Sequence, residues 1–250
     1  MSLGLLITTC KHYFSNISNV IKDIEECNFP KENVLIVSGQ EDNNTQFFES
    51  GIKVVKVDYT GLHLTGAIYL NENRESFKHI SYWILLPDTI KLENSFYDNM
   101  MKYYNQYLKN TEILSLPFIN RREIKRPTMD MGIVHITHIH NMTMYLNKIK
   151  KSQPYDINDV LQLKKQLIYD ENTILGISAN NINLSTKFDY VDISLYTHPA
   201  IYLINNTNEI TERKITYNDR TLNEVHFTNI GLYKYQRNFQ GPNISLIMEL

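Results

Sequence analysis

Only two of the 250 residues are cysteine, Cys10 and Cys27. They flank the first amphipathic segment, whose two ends lie too far apart to be bridged if it is a helix, so no disulfide framework is expected and a reducing compartment fits. Long apolar runs are also lacking. Nowhere do eighteen apolar residues follow one another, and no basic-plus-apolar leader opens the chain, so neither a membrane span nor secretion is expected and the cytoplasm is the expected location. Nor does either charge predominate: the formal net charge is -2 and the pI is near 6.4. Basic residues are scattered apart from Arg121, Arg122 and Arg126 and a second group at Lys148, Lys150 and Lys151. That pattern gives no footprint for nucleic acid. No internal repeat and no Gly/Ser- or Pro-rich linker divides the chain. A length of 250 residues and a hydrophobic content of 42% suffice for one large α/β domain with a proper core.

What is present is an alternation of strand and helix patterns. Residues 3–9, LGLLITT, read as a buried strand with a polar tip at Thr8, Thr9 and Cys10. An amphipathic stretch from Phe14 to Cys27 carries Ile17, Val20, Ile21 and Ile24 at helical spacing, with Ser15 or Asn16 as N-cap. A second strand spans Asn33 to Val37 and ends in Ser38-Gly39-Gln40-Glu41-Asp42. A short helix is expected next, then a third strand from Ile52 to Val57. This order predicts a mostly parallel sheet covered by helices on both faces.

A helix of about ten residues is expected from Leu64 to Asn73, with Gly66 where close packing or ligand approach needs a small residue. The fourth strand, Tyr82 to Leu86, stops at Pro87-Asp88-Thr89. Leu92, Phe96, Met100 and Tyr104 then mark another amphipathic helix. Two readings of Asp88 stand side by side. Pro, Asp and Thr are common turn residues, and Asp88 could simply cap the following helix. Alternatively, an apolar strand that delivers a carboxylate at its C-terminal end presents it where open α/β sheets collect ligands.

With LLITT, ENVLIVSGQED, GLHLTGAIYLNEN and YWILLPDTIKLENSF in this order, the chain resembles the nucleotide-sugar-dependent glycosyltransferases of the GT-A fold. In that family a βαβαβ half begins near the N-terminus, a Gly/Ala-containing helix precedes the fourth strand, and an apolar strand ends in a metal-binding Asp-X-Asp motif. The resemblance covers roughly the first hundred residues. It departs at the motif itself, where Pro87-Asp88-Thr89-Ile90 offers one carboxylate instead of two. Either Asp88 ligates a divalent cation with help from the diphosphate and another protein ligand, or the enzyme works without a metal. Mg²⁺ and Mn²⁺ favour oxygen ligands, and Mg²⁺ often keeps waters and substrate phosphates with only one or two carboxylates.

The resemblance implies a Rossmann-like domain over residues 1–250, with 1–110 as the nucleotide-sugar-binding half and 111–250 as the acceptor-binding half. It implies a UDP-linked donor whose base rests near Thr8, Thr9, Ser38, Glu41 and Asp42, with His63 and Gly66 also at the donor. The diphosphate runs toward Asp88, where Mn²⁺ or Mg²⁺ is held. In the same family a mid-chain loop closes over the donor, which would be Asn120 to Thr128 here, although a basic cluster of this kind also suits a merely solvated loop.

Downstream, His135, His138 and His140 crowd into MDMGIVHITHIHNMTMYL, residues 129–146. On a strand His135 faces away from the other two, and on a helix His140 rotates off, so no regular backbone converges them on a zinc ion. Asp130 precedes the apolar strand Ile133 to Ile136, which by the resemblance lies beneath the acceptor. It is a general-base candidate for an inverting transfer, against the reading of a turn residue bonded to its own backbone. Asp156 to Tyr169 reads as a surface helix capped by Asp156 or Asn158, followed by Asp170 and Glu171 as further base candidates. Ser194 to Ile204 reads as a strand or strand pair interrupted by Pro199, with His198 structural.

The late stretch VHFTNIGLYKYQRNFQGP, residues 225–242, also has two readings. Tyr and Phe favour strands, so it can be sheet packing. It can also be a clamp on the donor, with His226 as an extra metal ligand, as the resemblance implies, and Lys234 or Arg237 countering phosphate charge. The expected activity is transfer of a sugar from a nucleotide-diphospho-sugar to a hydroxyl on a glycan or other acceptor. Two rivals remain. One is a sugar nucleotidyltransferase, which normally carries a Gly-rich phosphate loop after the first strand, where TTCKHYFSN has none. The other is an inactive binding relative, which the single carboxylate would suit.

Overall fold

A computed structural model describes residues 2–111, 115–118, 131–152, 155–156, 158–160, 162–163, 207–217 and 220–236. The strands are β1 Ser2–Cys10, β2 Val34–Gly39, β3 Thr45–Glu49, β4 Ile52–Lys56, β5 Tyr59–Thr60, β6 Ile80–Pro87, β7 Ile90–Leu92, β8 Ser115–Pro117, β9 Gly132–His135, β10 Lys151–Ser152, β11 Ile210–Tyr217, β12 Arg220–Phe227 and β13 Leu232–Gln236. The α-helices are α1 Ile17–Glu26, α2 Thr65–Glu72, α3 Phe96–Tyr103, α4 Ile136–Asn141 and α5 Thr143–Ile149. None of the helices among the described residues is long and apolar enough to cross a membrane.

Among the described residues the main sheet has seven strands in the order β3-β4-β2-β1-β6-β9-β8. Its centre, β4-β2-β1-β6, is parallel, while β3 and β9 join it antiparallel on either side. The sheet is therefore mixed around a parallel core, and the fold is α/β. Apolar residues fill both faces of the central strands, as in VLIV of β2, because helices cover both sides. One face packs Leu5 and Ile7 against Ile17, Val20, Ile21 and Ile24 of α1, against Phe96 and Met100 of α3, and against Val225, Phe227 and Leu232. The other packs Leu6, Leu35, Val37 and Trp83 against Ala67, Ile68 and Leu70 of α2 and Leu146 and Ile149 of α5. Full burial of each such Leu, Ile or Phe contributes about 1.5–3 kcal/mol, which fixes the register of every central strand.

Four expectations change. The short helix expected after β2 is strand β3, which forms a hairpin with β4. Ser50 and Gly51 join them with φ of 52° and 84°, the left-handed pair that a tight two-residue hairpin turn requires. Leu92 ends β7 and does not belong to the helix it was grouped with; α3 begins at Phe96. Asn16 stands at the head of α1 without a side-chain cap, because a 3₁₀ turn over Lys11–Asn16 runs directly into the helix. Asp88 caps no helix, since β7 follows it. By contrast, the expected cap at Asp156 is present: its Oδ1 accepts from Asn158 N at 2.6 Å, ahead of helical residues 158–160.

The late chain forms a second sheet, β11-β12-β13-β7. Its fourth strand comes from the turn just after Asp88, so residues 140 or more positions apart are tied to one spot: Lys234 is in register with Ile90 and Leu232 with Leu92. Asp23 of α1 supports the same strand by accepting from Leu92 N at 2.9 Å.

Candidate functional site

β1 has β2 on one side and β6 on the other. The helix between β1 and β2 is α1 on one face, and α2, which leads into β6, lies on the opposite face. The chain thus reverses its winding at β1, and such a switch point opens a crevice outside the carboxyl ends of the strands. The polar tips of β1, β2 and β6 meet there. Register pairs Thr9 with Ser38 and Thr8 with Pro87, which sets Asp88 level with Thr9.

Asp88 is the centre of this site. Its Oδ2 accepts a 2.6 Å hydrogen bond from Thr9 Oγ1, and the residue is only 8% exposed. Burial pushes the carboxyl up to about 6, while the Thr9 hydroxyl, the Lys234 ammonium and the backbone amides of Asp88 and Thr89 pull the other way. A carboxylate held this dry attracts a cation strongly. Lys234 Nζ donates to Thr89 Oγ1, and Tyr235 N donates to Thr89 O at 2.9 Å, so β13 clasps the turn that carries Asp88. Cys10, also at the end of β1, has its thiol pushed up to about 12 by burial and by the Asp88 carboxylate. It stays protonated and is a poor nucleophile.

A second polar group lies at the end of β2. Ser38 Oγ donates to Glu41 Oε1 at 2.6 Å, and Lys56 Nζ stands 3.7 Å from Glu41 Oε2. The backbone there is fixed as well, since Gln40 N and Glu41 N donate to Tyr59 O and Val57 O. Asp42 is exposed and paired with Lys11 at 2.6 Å. Thr8 is buried against α2, where a Cβ on Gly66 would stand 2.6 Å from Thr8 Oγ1. Gly66 is thus the residue that lets α2 approach β1. His63 sits on the 3₁₀ turn Leu62–Leu64 at the head of α2, half-buried. That turn is held by Thr65 Oγ1, which donates to Leu62 O at 2.6 Å and accepts from Gly61 N at 2.9 Å.

His226 corrects an expectation. In the β12-β13 ladder it is paired with Tyr233, and its ring stacks on Tyr233 with centroids 4.0 Å apart. Nε2 stands 3.1 Å from Glu93 Oε1, an ion-pair distance when the ring is protonated, though off the line of a hydrogen bond. Successive residues of a strand face opposite ways, so Tyr233 and His226 lie on the face opposite Lys234. His226 and Lys234 therefore do not converge on Asp88. The late segment divides between its residues: Val225, Phe227, Ile230 and Leu232 are core, and Lys234 lies against the turn that carries Asp88.

The three clustered histidines also disperse. His135 ends β9 and accepts from Thr137 N through Nδ1. His138 is buried in α4, and His140 faces Arg74 at 2.8 Å. Among the described residues no group of three or more His, Cys, Asp or Glu could hold a metal ion. Among the described residues the donor set at Asp88 is one carboxylate. That suits Mg²⁺ or Mn²⁺ shared with phosphate oxygens and water, and it does not suit an ion caged by protein alone. Asp130, Asp170, Glu171, His198, Arg237 and the loop 120–128 lie outside the described residues. Lys56 and Thr89 were not foreseen as site residues. Lys56 was legible in principle, because parallel pairing sets it beside Ser38.

No protein-family model matches the chain, and neither does any curated protein. Among solved structures, a match spans 99% of this chain and 100% of a glycosyltransferase involved in the glycosylation of the major capsid of PBCV-1, with 12% identity and a TM-score of 0.37.

Proposed function

We propose that the crevice at the ends of β1, β2 and β6 binds a nucleotide-diphospho-sugar, UDP-linked, and that the protein transfers the sugar to an acceptor hydroxyl. The observation that carries this reading is the buried Asp88, held by Thr9 at the switch point and approached by Lys234. The nucleoside rests against Thr9, Ser38 and Glu41, whose oxygens suit ribose hydroxyls and base amides. Mn²⁺ or Mg²⁺, shared between Asp88 and the diphosphate, would supply charge stabilisation of the departing phosphate. Lys234 adds a fixed positive charge on the same side, where it counts most once negative charge grows on the leaving group. Asp130 or Glu171 would take the acceptor proton. In this reading residues 111–250 serve the acceptor, the loop 120–128 covers the donor, and the setting is cytoplasmic, with Cys10 and Cys27 as free thiols.

The test is a thermal-shift panel of nucleotide sugars with and without Mn²⁺. A donor present at a hundred times its Kd should stabilise the native state by about 2.7 kcal/mol, a rise of several degrees, and only with the metal. No shift with any nucleotide or nucleotide sugar would end the proposal. The single carboxylate also favours a second reading, an inactive binding relative. That protein would show the same shift without hydrolysing or transferring the sugar.

A further inference from the structure

A groove of about 500 Å³ runs along the α2 face near the β3-β4 hairpin. Its floor is apolar, built by the buried residues Val55, Val57 and Tyr59. One wall is the end of α2, with Tyr69, Glu72 and Asn73, and the other is the stretch from Asn44 to Gln46. Lys150 and Ser152 close one end.

The charges in this groove cancel. Lys150 Nζ is 2.6 Å from Glu72 Oε1 and sits 4.0 Å from the centre of the Tyr59 ring, so the pair is held across the groove and not offered to an ionic ligand. Lys56 and Asp58 add one charge of each sign to the lining, so its formal charges sum to zero. Neither phosphates nor polyamines thus meet a net charge of opposite sign in the lining. What remains is amide chemistry and the Tyr69 phenol, since the Tyr59 hydroxyl donates to Glu72 Oε2 at 3.4 Å. Asn44 Oδ1 accepts from Asp58 N at 2.9 Å, which turns its NH₂ outward as a donor. Asn73 Nδ2 donates to Tyr69 O at 2.9 Å, which leaves its carbonyl oxygen as an acceptor. Gln46 offers both and is exposed.

A groove of this size without net charge, with an apolar floor, the Tyr69 ring and amide donors and acceptors, fits a neutral polyhydroxylated ligand, since each hydroxyl both gives and takes a hydrogen bond. We infer that this groove is a carbohydrate-binding site separate from the Asp88 crevice, taking a neutral oligosaccharide of two or three residues. Its service as a holding site for a glycan acceptor rests on the transferase reading; the binding of carbohydrate does not.

Saturation-transfer NMR on the full chain, with a broad panel of neutral glycans that includes maltotriose, cellotriose and chitotriose, tests it. At least one should bind, and Gln46→Ala, on an exposed strand, and Tyr69→Ala should each weaken it by about fivefold or more, the worth of one good hydrogen bond or contact. Asp88→Asn should leave that binding unchanged. The inference fails if no neutral glycan binds the wild-type chain, if binding survives both groove variants, or if it is lost in Asp88→Asn, which would place the glycan in the crevice. It also fails if inorganic phosphate displaces the glycan. Glycan binding without any nucleotide-sugar binding would remove the transferase reading and leave this one standing.

Discussion

Stability and function pull apart at the Asp88 carboxylate. Burial raises it from the usual 3.8 to about 6, so the folded protein holds this proton more tightly than the unfolded chain does. The folded state then binds the excess proton between those values, and stability falls as pH rises through that window before levelling off above it. The whole effect is at most about 3 kcal/mol. Asp88→Asn removes the ionisable group without changing its size, so the variant should be at least as stable as the wild type at pH 8, and their difference should be smallest near pH 4. Urea denaturation at the two pH values decides the matter. A large loss of stability in the variant at pH 8 would mean that Thr9 and Lys234 overcompensate the desolvation. The same substitution should weaken metal-dependent donor binding by about 1.5–3 kcal/mol, the range for hydrogen bonds to charged groups. Calorimetry with and without Mn²⁺ reads this directly, and unchanged metal-dependent affinity would remove Asp88 from the site.

Two elements bring the site together, α2 through close approach and β13 through pairing. Gly66→Ala sets two opposed effects against each other. Alanine gains up to about 1 kcal/mol over glycine in a helix interior. Its methyl, however, would stand 2.6 Å from Thr8 Oγ1 and 3.0 Å from Leu6 Cδ1, and Thr8 is short, branched and fixed in a central strand. Overpacking of this kind costs about 1–3 kcal/mol, so the contact should win and the urea midpoint should fall at constant slope. A stabilised variant would show that α2 can move off β1 freely. For β13, Lys234→Ala leaves the Tyr235-to-Thr89 backbone bond intact and removes the charge together with the side-chain bond to Thr89 Oγ1. Turnover should drop roughly a hundredfold while donor affinity changes little, because the lost interaction is strongest in the transition state. Equal losses in both would make Lys234 a binding residue only. β1, α1, β2, β4, α2 and β6 were legible in the sequence because each couples an apolar period to one burial pattern. β3 was not, because the edge residues Phe47 and Phe48 have no alternation, yet Ser50-Gly51 after them was the available hairpin signal. The clasp of β13 on β7 joins distant segments, and no local pattern encodes such a pairing. His226 was misjudged because its neighbours in sequence were read without the alternation that places it opposite Lys234.

For the molecule as a whole, a net charge of -2 gives little repulsion between copies, so the way the sheet ends decides whether they stay apart. Among the described residues, β8 and β3 are the outer strands of the main sheet. Strand edges expose unpaired backbone groups, and proteins usually guard them with lysine, proline or a bulge. β3, TQFFE, has none of these, and Phe48 on it is 73% exposed. An apolar edge of this kind should make the protein associate as its concentration rises. The remedy depends on the partner across the hairpin, because Phe48 is in register with Lys53 of β4. Lysine at position 48 would set like charges directly opposite each other, whereas glutamate forms a cross-strand pair with Lys53 that contributes about 0.2–1 kcal/mol. That gain offsets the weaker strand preference of glutamate, which on the propensity scale spans no more than about 1 kcal/mol. Phe48→Glu should therefore leave the unfolding midpoint nearly unchanged and abolish the concentration-dependent rise in light scattering. If scattering persists in this variant while the fold is intact, the copies meet through another surface, and the β3 edge is not where the chain self-associates.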